Sequence, residues 1–173
     1  QALARLRAEG RVLSQRGAGN FVGEPPRLPG VSFGPLHSVP DVRSFLEFRC
    51  ILEGESAALA ATHHGSAECA DITRSLRMLE AALSHGEPGI EEDIAFHRAV
   101  AQASGNRYFR LTMDALAEQT RFAVQLVRQL SPLPLSTRAH DVRMEHRQID
   151  EAIASGDAPR ARHAMVAHLR GGI

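Results

Sequence analysis

The sequence predicts an all-α protein, an antiparallel bundle of about six helices preceded by a helix end and a small β-hairpin. Three observations predict it. From Asp41 onward, apolar residues recur at three- and four-residue intervals, the period of helices with one buried face. The interruptions are brief and carry Gly, Pro, Ser or Asn, and helices joined by such short connections run antiparallel to their neighbours. No segment repeats with a period of 20–50 residues, which excludes a solenoid.

Composition narrows the class. The chain has 173 residues, enough to enclose a core, and at 43% hydrophobic and 23% charged it resembles neither a disordered nor a membrane chain. No apolar run approaches the ~20 residues of a spanning helix, and the opening Gln1-Ala-Leu-Ala-Arg-Leu-Arg7 lacks the apolar stretch of a secretion signal. Cys50 and Cys69 form neither a disulfide framework nor a Cys-x-x-Cys knuckle. The expectation is a soluble, reduced, cytoplasmic protein without a membrane partner. The net charge is zero, yet residues 1–30 hold five Arg against two Glu, while the rest holds 15 Arg against 18 acids. A basic head on an acidic body suits a head that meets a polyanion.

The elements follow in order. Residues 1–9 read as the end of a helix, closed by Gly10. Two short β-like runs, Arg11–Ser14 and Asn20–Val22, flank Gln15-Arg-Gly-Ala-Gly19; Gly17 and Gly19 suit a tight hairpin tip, which presents Arg16. Pieces this small bury no core, so residues 1–23 read as the tail of a domain that begins upstream. Residues 24–40 hold five of the nine prolines and read as a semi-stiff linker. The domain at 41–173 has helices expected at about 41–63, 66–85, 89–104, 106–130, 136–155 and 157–170. Asp157 with Pro159 makes a helix start.

Polar residues fall on the apolar stripes. The third helix has Ile90, Ile94, His97 and Ala101 on one face, with Asp93 one turn before His97. The fifth has Val142, His146, Ile149 and Ile153; the last has Ala161, Met165 or Ala164, and His168 beside Leu169. Each histidine alone reads as a core residue with a local hydrogen bond. Four inward polar groups are harder to accommodate, because each one left unpaired costs about 1–3 kcal/mol. One divalent metal ion per chain on Asp93, His97, His146 and His168 removes that cost; zinc is the first expectation, with nickel, manganese or iron as alternatives. The Glu-x-x-His pattern of di-iron bundles is absent, since Ile94, Arg143 and Met165 stand three residues before the histidines. His63, His64, His85, His140 and His163 lie off these stripes and read as solvated.

Arg49 lies among Phe45, Leu52 and Ser56 on the first long helix. It either pairs with Glu53 or another acid, or clamps a carboxylate ligand beside an open metal position. Asn106 either caps the fourth helix or adds a hydrogen bond to the pocket. Arg98 and Arg147, one position after proposed ligands, face away.

These segments together resemble a bacterial transcription regulator of the GntR family, in the branch with an all-helical FCD effector domain. The residues carrying the resemblance are the head from Ala2 to Val22, Phe48-Arg-Cys-Ile-Leu-Glu53, Asp93-Ile-Ala-Phe-His97, Ala103-Ser-Gly-Asn106, Glu145-His146 and Ala164-Met-Val-Ala-His168-Leu169. The resemblance implies that Asp93, His97, His146 and His168 are the metal positions, that Arg49 faces a small organic-acid effector, and that six helices mark the shorter, metal-binding subgroup. It also implies a homodimer that binds operator DNA in the full-length protein through a winged helix-turn-helix, with Arg16, Gly17 and Gly19 in the wing. The reader domain's first two helices and most of its recognition helix are missing, so this chain alone is expected to bind an operator poorly. Two other readings stand beside this one: a metal-dependent hydrolase on a helical bundle, and a dimerisation domain that the ion merely staples.

Overall fold

The computed structural model describes residues 12–15, 19–22, 33–131 and 134–171. The helix end expected over 1–9, Arg16 and Gly17 of the hairpin tip, and residues 24–32 of the linker lie outside the described residues. The chain divides into two compact units, residues 1–33 and 34–173.

In the first unit, β1 (Val12–Gln15) and β2 (Gly19–Val22) pair antiparallel, with Val12 opposite Val22 and Gln15 opposite Gly19. This is the expected hairpin, each strand ending within a residue or so of its predicted limit, and Gly19 is the first residue of β2.

The second unit is helical. It comprises α1 (Val39–His63), α2 (Ser66–Ser84), α3 (Ile90–Ala103), α4 (Arg107–Ala115), α5 (Ala117–Leu130), α6 (Leu135–Ala154) and α7 (Ala158–Arg170). Three of the starts have clear causes. The Ser38 hydroxyl accepts from the Asp41 N–H at 3.2 Å and Pro40 stands in the first turn, so α1 begins at Val39, inside the expected linker. The Asp157 carboxylate accepts from the Arg160 N–H at 3.0 Å and starts α7. Before α3, Gly89 adopts φ +59°, where a Cβ would sit 3.0 Å from Leu79 Cδ1, so both the backbone conformation and the packing ask for glycine. No helix among the described residues is long and apolar enough to cross a membrane.

The expected fourth helix is divided at Leu116, which makes seven helices among the described residues. Leu116 has φ −99° and ψ 5°, yet its N–H still donates to Thr112 and its carbonyl accepts from Thr120. The hydrogen-bond ladder thus runs on through the break while the Leu116 side chain turns into the core, 1% exposed. No glycine or proline marks the position, so nothing local announced the break.

α1 packs against α3, α6 and α7 and is buried around most of its circumference. Two apolar clusters abut along it. One joins Val42, Phe45 and Leu46 of α1 to Leu116 and Ala123. The other joins Cys50, Ala57, Ala60 and Ala61 to Ile72, Phe96, Val100, Ile149, Ile153 and Met165, among others. Between these two groups of α1 residues falls Arg49, with Glu53 one turn later, both buried. The buried face of α3 is Asp93, Phe96, His97, Val100 and Ala101, turned from the expected stripe so that Ile90 and Ile94 are only half-buried.

The α1–α7 contact depends on a missing side chain. A Cβ on Gly54 would lie 2.9 Å from Val166 Cγ2, and valine has few rotamers with which to retreat. Gly54→Ala gains about 1 kcal/mol of helix propensity and loses about 1–3 kcal/mol to overpacking. The expected outcome is a lower melting temperature for Gly54→Ala, with the loss reduced or reversed in a Val166→Ala background. Equal losses in both backgrounds, read by thermal circular dichroism, would place the strain elsewhere.

Candidate metal centre

Asp93 and His97 stand one turn apart on α3, His146 on α6 and His168 on α7. One donor atom from each of the four lies within 4.8 Å of all the others. Asp93 Oδ1 is 3.4 Å from His146 Nε2, and Asp93 Oδ2 is 3.9 Å from His97 Nε2. The imidazole rings crowd together, with centroids 4.4 Å apart for His146 and His168, 5.2 Å for His97 and His168 and 5.5 Å for His97 and His146. His97, His146 and Asp93 are buried, and the His168 side chain is 9% exposed. The four residues picked from the helical stripes are thus brought to one point.

The outer nitrogen of every ring is engaged. His97 Nδ1 lies 2.5 Å from Glu53 Oε2, His146 Nδ1 2.8 Å from the Val142 carbonyl, and His168 Nδ1 2.7 Å from Glu145 Oε2. A hydrogen on His146 Nδ1 and on His168 Nδ1 donates to those acceptors and leaves their Nε2 atoms with a lone pair for the centre, whereas His97 Nδ1 meets Glu53 at ion-pair distance without hydrogen-bond alignment. The Nε2 atoms of His97 and His146 are buried without a hydrogen-bond partner, a cost that a folded core does not ordinarily carry.

Burial works to raise the Asp93 carboxyl, but His146 at 3.4 Å and then the nearby His97 and His168 rings outweigh it and hold the group ionised far below the usual range. Burial, then His146 and His97, push His168 well below an ordinary imidazole, so it is neutral at pH 7. For Glu53 burial is again opposed and overcome, here by Arg49 and His97, which hold the carboxyl at about 2. A carboxylate and neutral imidazoles are the donors that first-row divalent cations take, at ~2.0–2.2 Å. Four donors no more than 4.8 Å apart span such an ion with little adjustment. The residues fit the ion.

Arg49 takes the first of its two expected roles, pairing with Glu53. It is 1% exposed and its Nε donates to Glu53, while its Nη2 has no partner. Burial acts against its charge, but Glu53 more than compensates and its pKa is raised. It also lines a cleft of about 50 Å³ together with Asp93 and His168. Asn106 takes its other option: its side chain accepts from the Tyr108 N–H at 3.0 Å and caps α4, and it stands outside the cleft wall. The capping geometry consumes the acceptor that a pocket role needs. Arg98 and Arg147 face away and pair with Asp114 and Glu80. His64, expected to be solvated, is half-buried with its Nδ1 3.1 Å from Cys69 Sγ.

The stripes did not disclose the residues behind the ligands. Glu53 was legible only as a partner for Arg49, although it also holds His97. Glu145 reaches His168 across the α6–α7 contact, 23 residues away, and no local spacing signals that. Arg128 of α5 approaches Asp93 Oδ1 at 3.6 Å and Arg138 of α6 approaches Glu145 Oε1 at 3.7 Å; no spacing in the sequence marks either.

Residues 44–171 match the FCD domain family. The chain belongs to that family, the FCD branch of the GntR transcription regulators. It is 30% identical over 172 residues to the HTH-type transcriptional regulator LutR of Bacillus subtilis (strain 168), an alignment covering 98% of this chain and 78% of LutR. It is 31% identical over 184 residues to a relative named for regulation of the L-lactate dehydrogenase operon in Escherichia coli (strain K12), covering 98% of this chain and 67% of the relative. Among solved structures, the Streptococcus agalactiae GntR superposes with a TM-score of 0.66 at 22% identity, covering 98% of this chain and 77% of that one, which shows a shared fold. The relatives are transcription regulators rather than enzymes, so the hydrolase reading is not favoured.

The Glu53 carboxyl of this FCD domain carries a test. It ionises at about 2 in the folded chain against 4.5 when free, so its stabilisation is complete above pH 4.5 and is lost as pH falls toward 2. In metal-free protein, Glu53→Gln is expected to lower stability at neutral pH and to flatten the acid decline between those limits. Urea denaturation at stepped pH measures it, and an unaltered slope would contradict the assigned ion pair.

Proposed function

We propose that this chain is the sensing part of a cytoplasmic, DNA-binding transcription regulator whose FCD domain holds one divalent metal ion on Asp93, His97, His146 and His168 and reads a small carboxylate with Arg49. One observation carries the reading: three imidazoles from three helices and the Asp93 carboxylate each bring a donor atom within 4.8 Å of the others, in a largely buried site. Zinc suits the donor set, with nickel, manganese and iron as alternatives. When bound there, such an ion supplies a positive charge that attracts and polarises a carboxylate oxygen.

The protein's own residues do the rest. Glu53, Glu145 and the Val142 carbonyl orient the rings. Arg49 is held rigid by Glu53 and keeps an unpartnered Nη2 for a ligand oxygen, a charge-assisted hydrogen bond in a site largely sheltered from water. The relatives support the ligand class, since one is named for an L-lactate dehydrogenase operon and lactate is a small carboxylate. Arg49 and Glu53 lie on α1, the helix that directly follows the segment joining the two units, so ligand contact bears on the element nearest in sequence to the hairpin. The hairpin, with Arg16, Gly17 and Gly19, acts as the wing of a winged helix-turn-helix in the full-length homodimer, and operator binding changes if the acid favours one arrangement of the DNA heads over another.

Metal is tested directly. Purified without added metal and dialysed, the protein is expected to take up one zinc or manganese per chain by elemental analysis. At a hundredfold excess over Kd, the ion adds about 2.7 kcal/mol of stability. His146→Ala is expected to abolish stoichiometric uptake, and wild-type protein that cannot be loaded would refute the centre. For the ligand, Arg49→Ala is expected to weaken acid binding to the metal-loaded protein at least tenfold by calorimetry. Metal-dependent melting with no acid binding would leave the ion as a structural staple.

A further inference from the structure

The cleft beside the four ligands is too small for a metabolite. At about 50 Å³ it has room for a carboxylate head or a few waters. It shares three wall residues, Arg128, Arg138 and Val142, with a second cavity of about 510 Å³ between the α2–α3 connection and the α5–α6 ends. That volume falls in the range of small-molecule sites. A ligand whose head is at Arg49 therefore extends past two arginines before it reaches the outer chamber.

Both arginines are incompletely used. Arg128 Nη1 is buried without a hydrogen-bond partner, and its Nη2 has only the 3.6 Å approach to Asp93. Burial acts against the Arg128 charge, Asp93 supports it and Arg138 opposes it. Arg138 has a 3.7 Å approach to Glu145, whose other oxygen is taken by His168. At the inner end, Arg49 Nη2 is likewise unpartnered on a side chain only 2% exposed. Two separate guanidinium positions thus lack an anion, one at each end of the cleft.

Charge counting gives the same answer. Arg49, Arg128 and Arg138 stand beside Glu53, Asp93 and Glu145, three guanidinium groups against three carboxyl groups. A divalent cation on Asp93 leaves two positive charges in excess. A monocarboxylate cancels one of them; a dicarboxylate cancels both, with its carboxylates at the two ends where donors are idle.

We propose that Arg128 and Arg138 form a second carboxylate subsite at the throat between the two cavities, so that this domain prefers dicarboxylates to monocarboxylates. This rests on the metal-and-Arg49 reading above and adds to it the length and charge of the ligand. The relative named for an L-lactate dehydrogenase operon points only to a monocarboxylate, so the preference is argued from this chain's throat and not from that name.

The test uses succinate and butyrate, which differ by a carboxylate in place of a methyl group. Zinc is first titrated into the metal-free chain by calorimetry, then each acid into the loaded protein. Succinate is expected to bind at least tenfold more tightly than butyrate, and the ratio is expected to fall below threefold in both Arg128→Gln and Arg138→Gln. Each variant is checked by helical circular dichroism and by zinc uptake; because Arg138 is partly exposed and away from Asp93, its variant remains informative if Arg128→Gln folds poorly. Equal affinity for the two acids in wild type overturns the subsite while the metal and Arg49 reading stands. A preference that survives both substitutions overturns the assignment to these residues. Failure to take up zinc overturns the underlying reading, and the subsite with it.

Discussion

Glu53 is the residue on which the candidate site depends. Its carboxylate takes Arg49 on one oxygen and His97 on the other, all three buried, and those two partners hold it ionised where burial alone would neutralise it. Without that anion, Arg49 would be an unpaired buried cation and His97 would lose the carboxylate that lies 2.5 Å from its Nδ1. A buried charge is tolerated only when paired and hydrogen-bonded, and here the pairing joins the anion position on α1 to the metal donor on α3. The two chemistries of the site, cation and anion recognition, are therefore coupled through one side chain.

The fold makes room for this charge at the seam between two apolar clusters. On α1 the residues of one cluster end at Leu46 and those of the other resume at Cys50, and Arg49 and Glu53 occupy the junction. Close approach of α7, permitted by Gly54, and the packing of α6 on α7 bring His146 and His168 within reach of α3. The small alanine-rich half of α1 packs tightly below the site, and the larger side chains above it leave the cleft. Tight packing on one side and a cavity on the other is how a helical bundle becomes a receptor rather than a solid rod.

Much of this was legible because helices have a strong period. Asp93, His97, His146 and His168 stood out as polar residues on apolar stripes, and the cost of burying them separately pointed to a shared centre. The capping signal at Asp157 also worked as local chemistry predicts. The break at Leu116 was not legible, since its cause is the side chain's place in a core assembled from other helices. Asn106 carried two readings that sequence could not separate, because capping and ligand contact use the same amide. Glu145 stood out only beside His146 in the family resemblance, and Arg128 and Arg138 carried no signal, because no local spacing shows which charged residues turn toward the centre.

The amino-acid order by itself determined the all-helical class, the helix limits apart from the division at Leu116, the inward polar stripes and the family to which the domain belongs, since each rests on local periodicity or on motifs read along the chain. Tertiary structure alone decided which histidine nitrogen faces the centre, which acids stand behind the rings, and which arginines meet at the throat. Those relations join residues tens of positions apart on different helices. They depend on crossing angles and rotamers that only the packed core selects.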